Sequence, residues 1–120
     1  MARVKLRLQL YCGDEIAMGP GKADLLEAID REGSISAAGR ALGMSYRRAW
    51  MLVDTMNRCF AEPLVATTPG GGKAAGARVT GAGFTALAAY RGLSANVQQA
   101  ATGADFSRLA EAIRDEPLKQ

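Results

Sequence analysis

The fold is decided by residues 34–60, which read SISAAGRALGMSYRRAWMLVDTMNRCF. Either of the first two serines, Ser34 or Ser36, can cap a short helix that ends at Gly43. Ser45 can then cap a longer helix that runs to the end of the stretch. Because small residues lie where the two helices must approach each other, the pattern is typical of a helix-turn-helix.

Two β-prone segments, residues 64–68 and 77–79, follow the second helix. The residues between them, 69–76, are rich in glycine and carry one cation, Lys73. A β-hairpin that directly follows a helix-turn-helix is called a wing. The sequence therefore predicts a two-stranded wing with a basic tip over residues 64–80.

The residues before the helix-turn-helix predict a strand and a helix. In residues 1–10, apolar side chains alternate with charged or polar ones, which indicates a strand with one basic face. Leu25, Leu26 and Ile29 then have helical spacing, and Gly33 is a suitable C-terminal stop for that helix.

After the wing, Thr80 can cap a long helix that contains Gly92, a small residue that would let another helix approach closely. The apolar residues of this helix recur at coiled-coil-like spacings; they are Ala86, Tyr90, Leu93, Val97 and Ala100. A shorter terminal helix through Ile113 follows, and Pro117 is expected to stop it.

Together these elements predict an α+β fold, a winged helix-turn-helix with a two-stranded wing, an N-terminal strand and a long C-terminal dimerisation helix. At 120 residues, the chain fits one domain of ordinary size. We assign residues 1–120 to that domain, with the helix-turn-helix at 36–60, the wing at 64–80, and the dimerisation and terminal helices at 81–115.

The composition argues against catalysis and against a membrane span. The chain has no His, the commonest general base, and no complete phosphate-binding loop. Cys12 and Cys59 form no CxxC motif, so no zinc site or redox pair is predicted, and both are expected to be reduced and mostly buried. No segment approaches the roughly 18 consecutive apolar residues of a membrane helix. We expect a non-enzymatic, soluble protein of the cytoplasm.

Positive charge is concentrated in the predicted motif. Residues 36–80 contain six basic and two acidic residues, a net charge of +4, whereas the remainder of the chain has a net charge of −1. Such a local excess is typical of a DNA-binding surface. Arg47 and Arg48 fall in the first turn of the second helix, which in this motif reaches base edges in the major groove.

We therefore predict that the chain contacts double-stranded DNA. The predicted DNA-binding residues are Ser36, Ser45, Tyr46, Arg47, Arg48, Lys73 and Arg78. Tyr46 is compatible with an exposed contact or with a side chain half-packed against the turn, while Trp50 and Val53 are expected in the core. The predicted dimerisation residues are Tyr90, Leu93 and Val97.

Several of these segments resemble the N-terminal DNA-binding domain of ModE, a family of molybdate-responsive bacterial regulators with a LysR-type winged helix-turn-helix. The resemblance rests on residues 33–36, 45–50, 56–57, 64–65, 70–73 and 79–80. It implies a homodimer that reads an inverted-repeat operator. It also places Ser45, Tyr46, Arg47 and Arg48 at the recognition helix and Lys73 on the wing.

Full-length members of that family continue into C-terminal molbindin-type domains that bind molybdate, whereas this chain stops at Gln120. We therefore expect no cofactor, and the absence of these domains from the sequence argues against a molybdate response of the kind that the family shows. Two other functions stay open from the sequence alone. One is a protein-interaction module that uses the long helix as its partner surface. The other is a site for molybdate or another small oxyanion at a dimer interface.

Overall fold

The computed structural model describes residues 2–68 and 76–120, and its first two strands form a hairpin. Strand β1 (Leu10–Cys12) pairs antiparallel with strand β2 (Glu15–Met18). Gly13, in the turn between them, has a φ of +60°, a backbone conformation that favours glycine.

A strand is predicted over residues 1–10. Among its described residues, 2–10, only Leu10 lies in a strand, so this prediction is wrong for residues 2–9. A strand needs a neighbouring strand to complete its hydrogen-bond ladder, and an alternating sequence does not supply one. The side-chain amide of Gln98 binds the segment instead. Its Oε1 accepts a hydrogen bond from Leu6 N at 3.3 Å, and its Nε2 donates to Val4 O at 2.6 Å.

Helix α1 (Pro20–Glu32) confirms the helix predicted before the central motif. Its N-terminal proline suits a position where no intrahelical donor is needed. Gly33 ends the helix with a φ of +79°, and its N–H donates to Ile29 O at 2.8 Å. The side chains of Leu25, Leu26 and Ile29 are fully buried, as their spacing predicts.

Two helices joined by a short turn follow, and they confirm the two helices predicted in residues 34–60. They are α2 (Ile35–Ala41) and α3 (Tyr46–Cys59). Of the two candidate serines, Ser34 caps α2, since its Oγ accepts a hydrogen bond from the third residue of the helix at 3.1 Å. Ser45 caps α3 in the same way, also at 3.1 Å.

A second two-stranded sheet confirms both β-prone segments. Strand β3 (Val65–Thr68) pairs antiparallel with strand β4 (Gly76–Val79), so that the first residue of β3 lies opposite the last residue of β4. The tip is predicted over residues 69–76; Gly76 begins β4, and residues 69–75, including Lys73, lie outside the described residues.

Helix α4 (Gly81–Gln99) begins at the predicted cap, Thr80. The Oγ of Thr80 accepts a hydrogen bond from Gly83 N at 3.0 Å and donates to Pro63 O at 2.7 Å. A Cβ at position 83 would overlap the carbonyl oxygen of Leu64. Glycine is therefore required where α4 starts against the residue before β3.

The last helix, α5 (Ala104–Ala112), is shorter than predicted and ends five residues before Pro117. Ile113, expected within this helix, has extended backbone angles of φ −88° and ψ 131°. Its side chain is 55% exposed, so another helical turn would bury nothing that offsets the cost of ordering it.

The chain divides into two compact units, Arg7–Tyr90 and Met1–Leu6 with Arg91–Gln120. The first unit contains one continuous hydrophobic core, drawn from α1, α2, α3, both hairpins and α4. Its largest fully buried side chains are Leu25, Leu26, Ile29, Met56 and Leu64. In the described ranges, no helix has both the length and the apolar character that crossing a bilayer requires.

Both cysteines are free thiols, but the prediction that they are mostly buried is wrong for Cys12, which is exposed. Cys59, at the end of α3, is only half-buried. The fold brings the two thiols together although 46 residues separate them in the sequence. Partial burial, followed by the hydrogen bond with Cys12, raises the pKa of Cys59 above its ordinary value.

Candidate nucleic-acid interface

The turn between α2 and α3 holds the two helices in close contact. Gly43 has a φ of +70°, and Met44 N donates to Gly39 O at 2.9 Å. A Cβ at Gly39 would lie only 3.0 Å from the Cβ of Ala49, so a larger residue there would push the helices apart. This contact fixes where α3 begins and which of its faces remains in solvent.

Helix α3 has one buried face and one exposed face. Ala49, Val53 and Met56, at helical spacing, form the buried face, which confirms the prediction for Val53. Arg47 and Arg48 lie in the first turn and are exposed. In the described part of the chain, no ion pair engages either guanidinium group.

The prediction that Trp50 belongs to the core is wrong, since its side chain is 38% exposed. Trp50 follows the buried Ala49 by one residue, which rotates it by about 100° around the helix to the edge of the buried face. Its ring meets the ring of Tyr46 edge-on, with 6.2 Å between centroids and an interplanar angle of 69°. Tyr46 is 62% exposed, so of its two predicted placements the exposed one is correct.

Arg58 belongs to the predicted positive cluster, but its charge is already paired. Its guanidinium donates to the two carboxylate oxygens of Glu15 at 2.8 and 3.2 Å and to Asp54 at 2.9 Å. The hydrogen bonds from Arg58, and then its positive charge, hold the pKa of Glu15 below its ordinary value. The unpaired positive charge of this surface is therefore smaller than the sequence count indicates.

The other predicted DNA-binding residues lie in different surroundings. Ser36 is half-buried, and its Oγ accepts a hydrogen bond from Arg40 Nη1 at 3.1 Å. Ser45 is exposed at the start of α3, where its Oγ caps the helix. Arg78 is exposed on β4, and Lys73 lies outside the described residues. Of the three that the structure describes, Ser45 directly precedes the exposed first turn of α3.

Asn57, which sequence reasoning missed, ties α3 to the β3–β4 hairpin. Its Oδ1 accepts hydrogen bonds from Leu64 N at 2.9 Å and Val65 N at 3.2 Å, and its Nδ2 donates to Val65 O at 3.1 Å. Thr80 N donates to Leu64 O, so Val65 and Val79, which lie opposite each other, form a non-hydrogen-bonded pair. The N–H and C=O of Val65 therefore point away from β4, and the side-chain amide of Asn57 supplies their hydrogen bonds. The sequence signal for this role was an amide side chain within the predicted helix, because a partly buried amide needs hydrogen-bond partners.

Lys22 is a second residue that sequence reasoning missed. It lies in α1 and is only 9% exposed. Burial lowers the pKa of Lys22, and the nearby positive charge of Arg48 acts in the same direction. A cation at this position adds to the positive potential around the first turn of α3.

The described residues, 2–68 and 76–120, bring together no group of three His, Cys, Asp or Glu side chains that could hold a metal ion. The carboxylates of Glu15 and Asp54 are engaged by Arg58 instead.

The chain is similar to several proteins whose names refer to molybdenum or to transcription. It is 36% identical over 113 residues to the molybdenum transport protein ModE of Azotobacter vinelandii, which covers 94% of this chain and 40% of that protein. It is 48% identical over 80 residues to the molybdenum-pterin-binding protein MopB of Rhodobacter capsulatus, covering 67% of this chain and 30% of that protein.

The chain is also 31% identical over 99 residues to the DNA-binding transcriptional dual regulator ModE of Escherichia coli K12, covering 82% of this chain and 37% of that protein. It thus spans 40% or less of the length of these three relatives. No protein-family model matches the chain.

Proposed function

Since the chain is a homologue of the N-terminal region of the ModE regulators, we propose that it is a sequence-specific DNA-binding transcriptional regulator. We propose further that it binds an inverted-repeat operator as a homodimer and controls genes for molybdenum use. The observation that carries the proposal is the first turn of α3, where Arg47 and Arg48 are exposed and without an ion pair among the described residues.

The electrostatics of α3 support DNA as the partner. The N-terminus of a helix carries a partial positive charge, so Arg47 and Arg48 oppose the macrodipole of their own helix. The positive charge of nearby Lys22 repels Arg48 as well. A phosphate or the electronegative edge of a guanine relieves it, because either places negative charge or hydrogen-bond acceptors beside the two guanidinium groups.

In this proposal α3 is the recognition helix and the β3–β4 hairpin is the wing. The first turn of α3 lies in the major groove, where Tyr46, Arg47 and Arg48 reach base edges. Contacts to the sugar-phosphate backbone come from Ser36, Ser45, Lys73 and Arg78, and the charges of Arg47 and Arg48 also attract the phosphates. The backbone contacts supply much of the affinity and make it depend on salt, whereas the base contacts supply the choice of sequence.

We propose the far part of α4 as the dimerisation surface. Leu93 is 43% exposed and Val97 is half-buried, so both offer apolar surface to a second copy of the chain. Tyr90 does not offer such a surface in this structure. It is 5% exposed, and its hydroxyl donates to Leu8 O at 2.8 Å within the same chain.

Selection of bound fragments from genomic DNA at about 0.15 M salt tests the proposed function. The expected result is a shared inverted repeat with half-site centres roughly 10 base pairs apart, occupied by two chains. Footprinting and sedimentation of the complex measure the symmetry and the stoichiometry. Recovery of fragments without a common sequence would show that the chain is not a sequence-specific regulator.

A further inference from the structure

Three exposed side chains form an apolar surface on α3. Tyr46, Trp50 and Met51 are 62%, 38% and 57% exposed, and we call them the apolar patch. Tyr46 and Trp50 are four residues apart, so they are neighbours on the helix surface. Together with Arg47 and Asp54, the patch lines a shallow concavity of about 440 Å³.

The core of the protein does not use the apolar patch. Ala49, Val53 and Met56 already complete the buried face of α3. The edge-on contact between the rings of Tyr46 and Trp50 orients both side chains, and 62% of Tyr46 and 38% of Trp50 stay exposed. The patch is therefore a preorganised apolar surface that is directed at solvent.

The charge around the patch favours an anionic partner. Arg47 lines the concavity itself, and Arg48 follows it in the chain; neither guanidinium has an ion pair in the described residues. Asp54, the carboxylate in the lining, is engaged by Arg58 Nε at 2.9 Å. The concavity thus combines apolar surface with unpaired positive charge.

The major groove of double-stranded DNA offers the complementary combination. Its phosphates and guanine edges attract cations, and the C5-methyl group of thymine is the apolar group that the bases display there. A helix that enters this groove by its N-terminal end brings its first six residues within about 9 Å of the entry point. In α3 these residues include the whole apolar patch.

We propose that the apolar patch reads thymine. Trp50 and Met51, beside Tyr46, contact the C5-methyl groups of operator thymines in the major groove and thereby set part of the operator sequence. The inference rests on the proposed function, because it requires α3 to bind DNA, and it deepens that function by naming the base that is read. Arg47 and Arg48 supply attraction to phosphates and guanine edges, and Trp50 and Met51 add the discrimination of thymine.

Replacing thymine by uracil tests this, because uracil lacks only the methyl group and keeps every hydrogen-bonding atom. Operator fragments with single thymine-to-uracil replacements are titrated with the protein, and dissociation constants are measured by fluorescence anisotropy. At one or two thymines the wild-type protein is expected to lose about fourfold in affinity, the effect of one methyl group returned to water. At those positions Trp50→Ala or Met51→Ala should bind the two forms of the operator equally.

Phe84→Ala is the matched control. It removes another exposed apolar side chain, 47% exposed on α4, and should keep the uracil sensitivity of the wild type. A wild-type protein that binds thymine and uracil operators equally overturns the inference. So does uracil sensitivity that persists unchanged in both Trp50→Ala and Met51→Ala.

The fluorescence of the wild-type protein provides a readout that needs no substitution, because Trp50 is the single Trp of the chain. Saturating operator is expected to shift its emission to shorter wavelength and to reduce acrylamide quenching at least twofold. Unchanged quenching at saturation overturns the inference even if Trp50→Ala fails to fold.

Failure of this inference and failure of the proposed function give different results. Absence of any selected operator overturns the proposed function, and the inference with it. Specific binding with an unchanged Trp50 environment overturns only the inference. If Trp50→Ala changes the sedimentation coefficient of the free protein but keeps its uracil sensitivity, the patch is a contact between copies of the chain, and the inference is wrong.

Discussion

Removing the amide of Asn57 is expected to weaken the link between α3 and the β3–β4 hairpin. Asn57→Ala leaves the N–H groups of Leu64 and Val65 and the carbonyl of Val65 without hydrogen bonds that now measure 2.9, 3.2 and 3.1 Å. Each such bond contributes about 0.5–1.5 kcal/mol net. Water replaces part of them because the site is half-buried, so the free energy of unfolding should fall by about 2–3 kcal/mol.

Urea unfolding followed by circular dichroism measures this change. Asn96→Ala is the matched control, since it makes the same substitution at an exposed position of α4 and carries the same small gain in helix propensity. Amide hydrogen exchange should also become faster at Leu64 and Val65 in Asn57→Ala. If the two variants differ by less than about 0.5 kcal/mol, or if those amides keep their protection, the amide of Asn57 does not hold the hairpin.

Three further predictions concern stability. Gly83→Ala should lower the free energy of unfolding by about 1–3 kcal/mol through overpacking. Gly92→Ala, where the added Cβ meets nothing within 4 Å, should raise the free energy of unfolding by about 1 kcal/mol. Equal melting temperatures of the two variants would contradict both expectations. Ser45→Ala should cost about 1 kcal/mol in urea unfolding and Ser45→Asp much less, because aspartate also caps helices; identical losses would argue against the cap. Because Arg58 lowers the pKa of Glu15, their ion pair stabilises the fold above the ordinary pKa of the carboxyl and is lost as the pH falls through the lowered value. Glu15→Gln should therefore reduce the acid-induced loss of stability below about pH 4.3, and an unchanged pH dependence would contradict this.

The helices of the central motif could be predicted because their signals are local. A serine that accepts a hydrogen bond from the third residue of its helix, as Ser34 and Ser45 do, needs no distant partner. The glycines Gly33 and Gly43 mark the ends of α1 and of the turn for the same reason, since each has a positive φ.

The features that the sequence did not reveal depend on distant partners. Residues 2–9 alternate like a strand, but no neighbouring strand pairs with them. The charge of Arg58 is paired by Glu15, 43 residues away, and a count of charges along the chain does not include such a contact. Trp50 lies at the edge of a helical face, where the neighbouring elements, rather than the period of the helix, decide burial.

Whether the first turn of α3 binds DNA is measured by the operator affinity of the double variant Arg47→Ala/Arg48→Ala. Removing cations from a helix N-terminus does not weaken the helix, so lost binding reports lost contacts. We expect at least tenfold weaker binding at about 0.15 M salt, and a slope of the salt dependence that falls by roughly 1–2. Arg31→Ala, which removes an exposed arginine of α1, should leave both unchanged. Wild-type affinity and slope in the double variant would show that the first turn of α3 does not bind DNA.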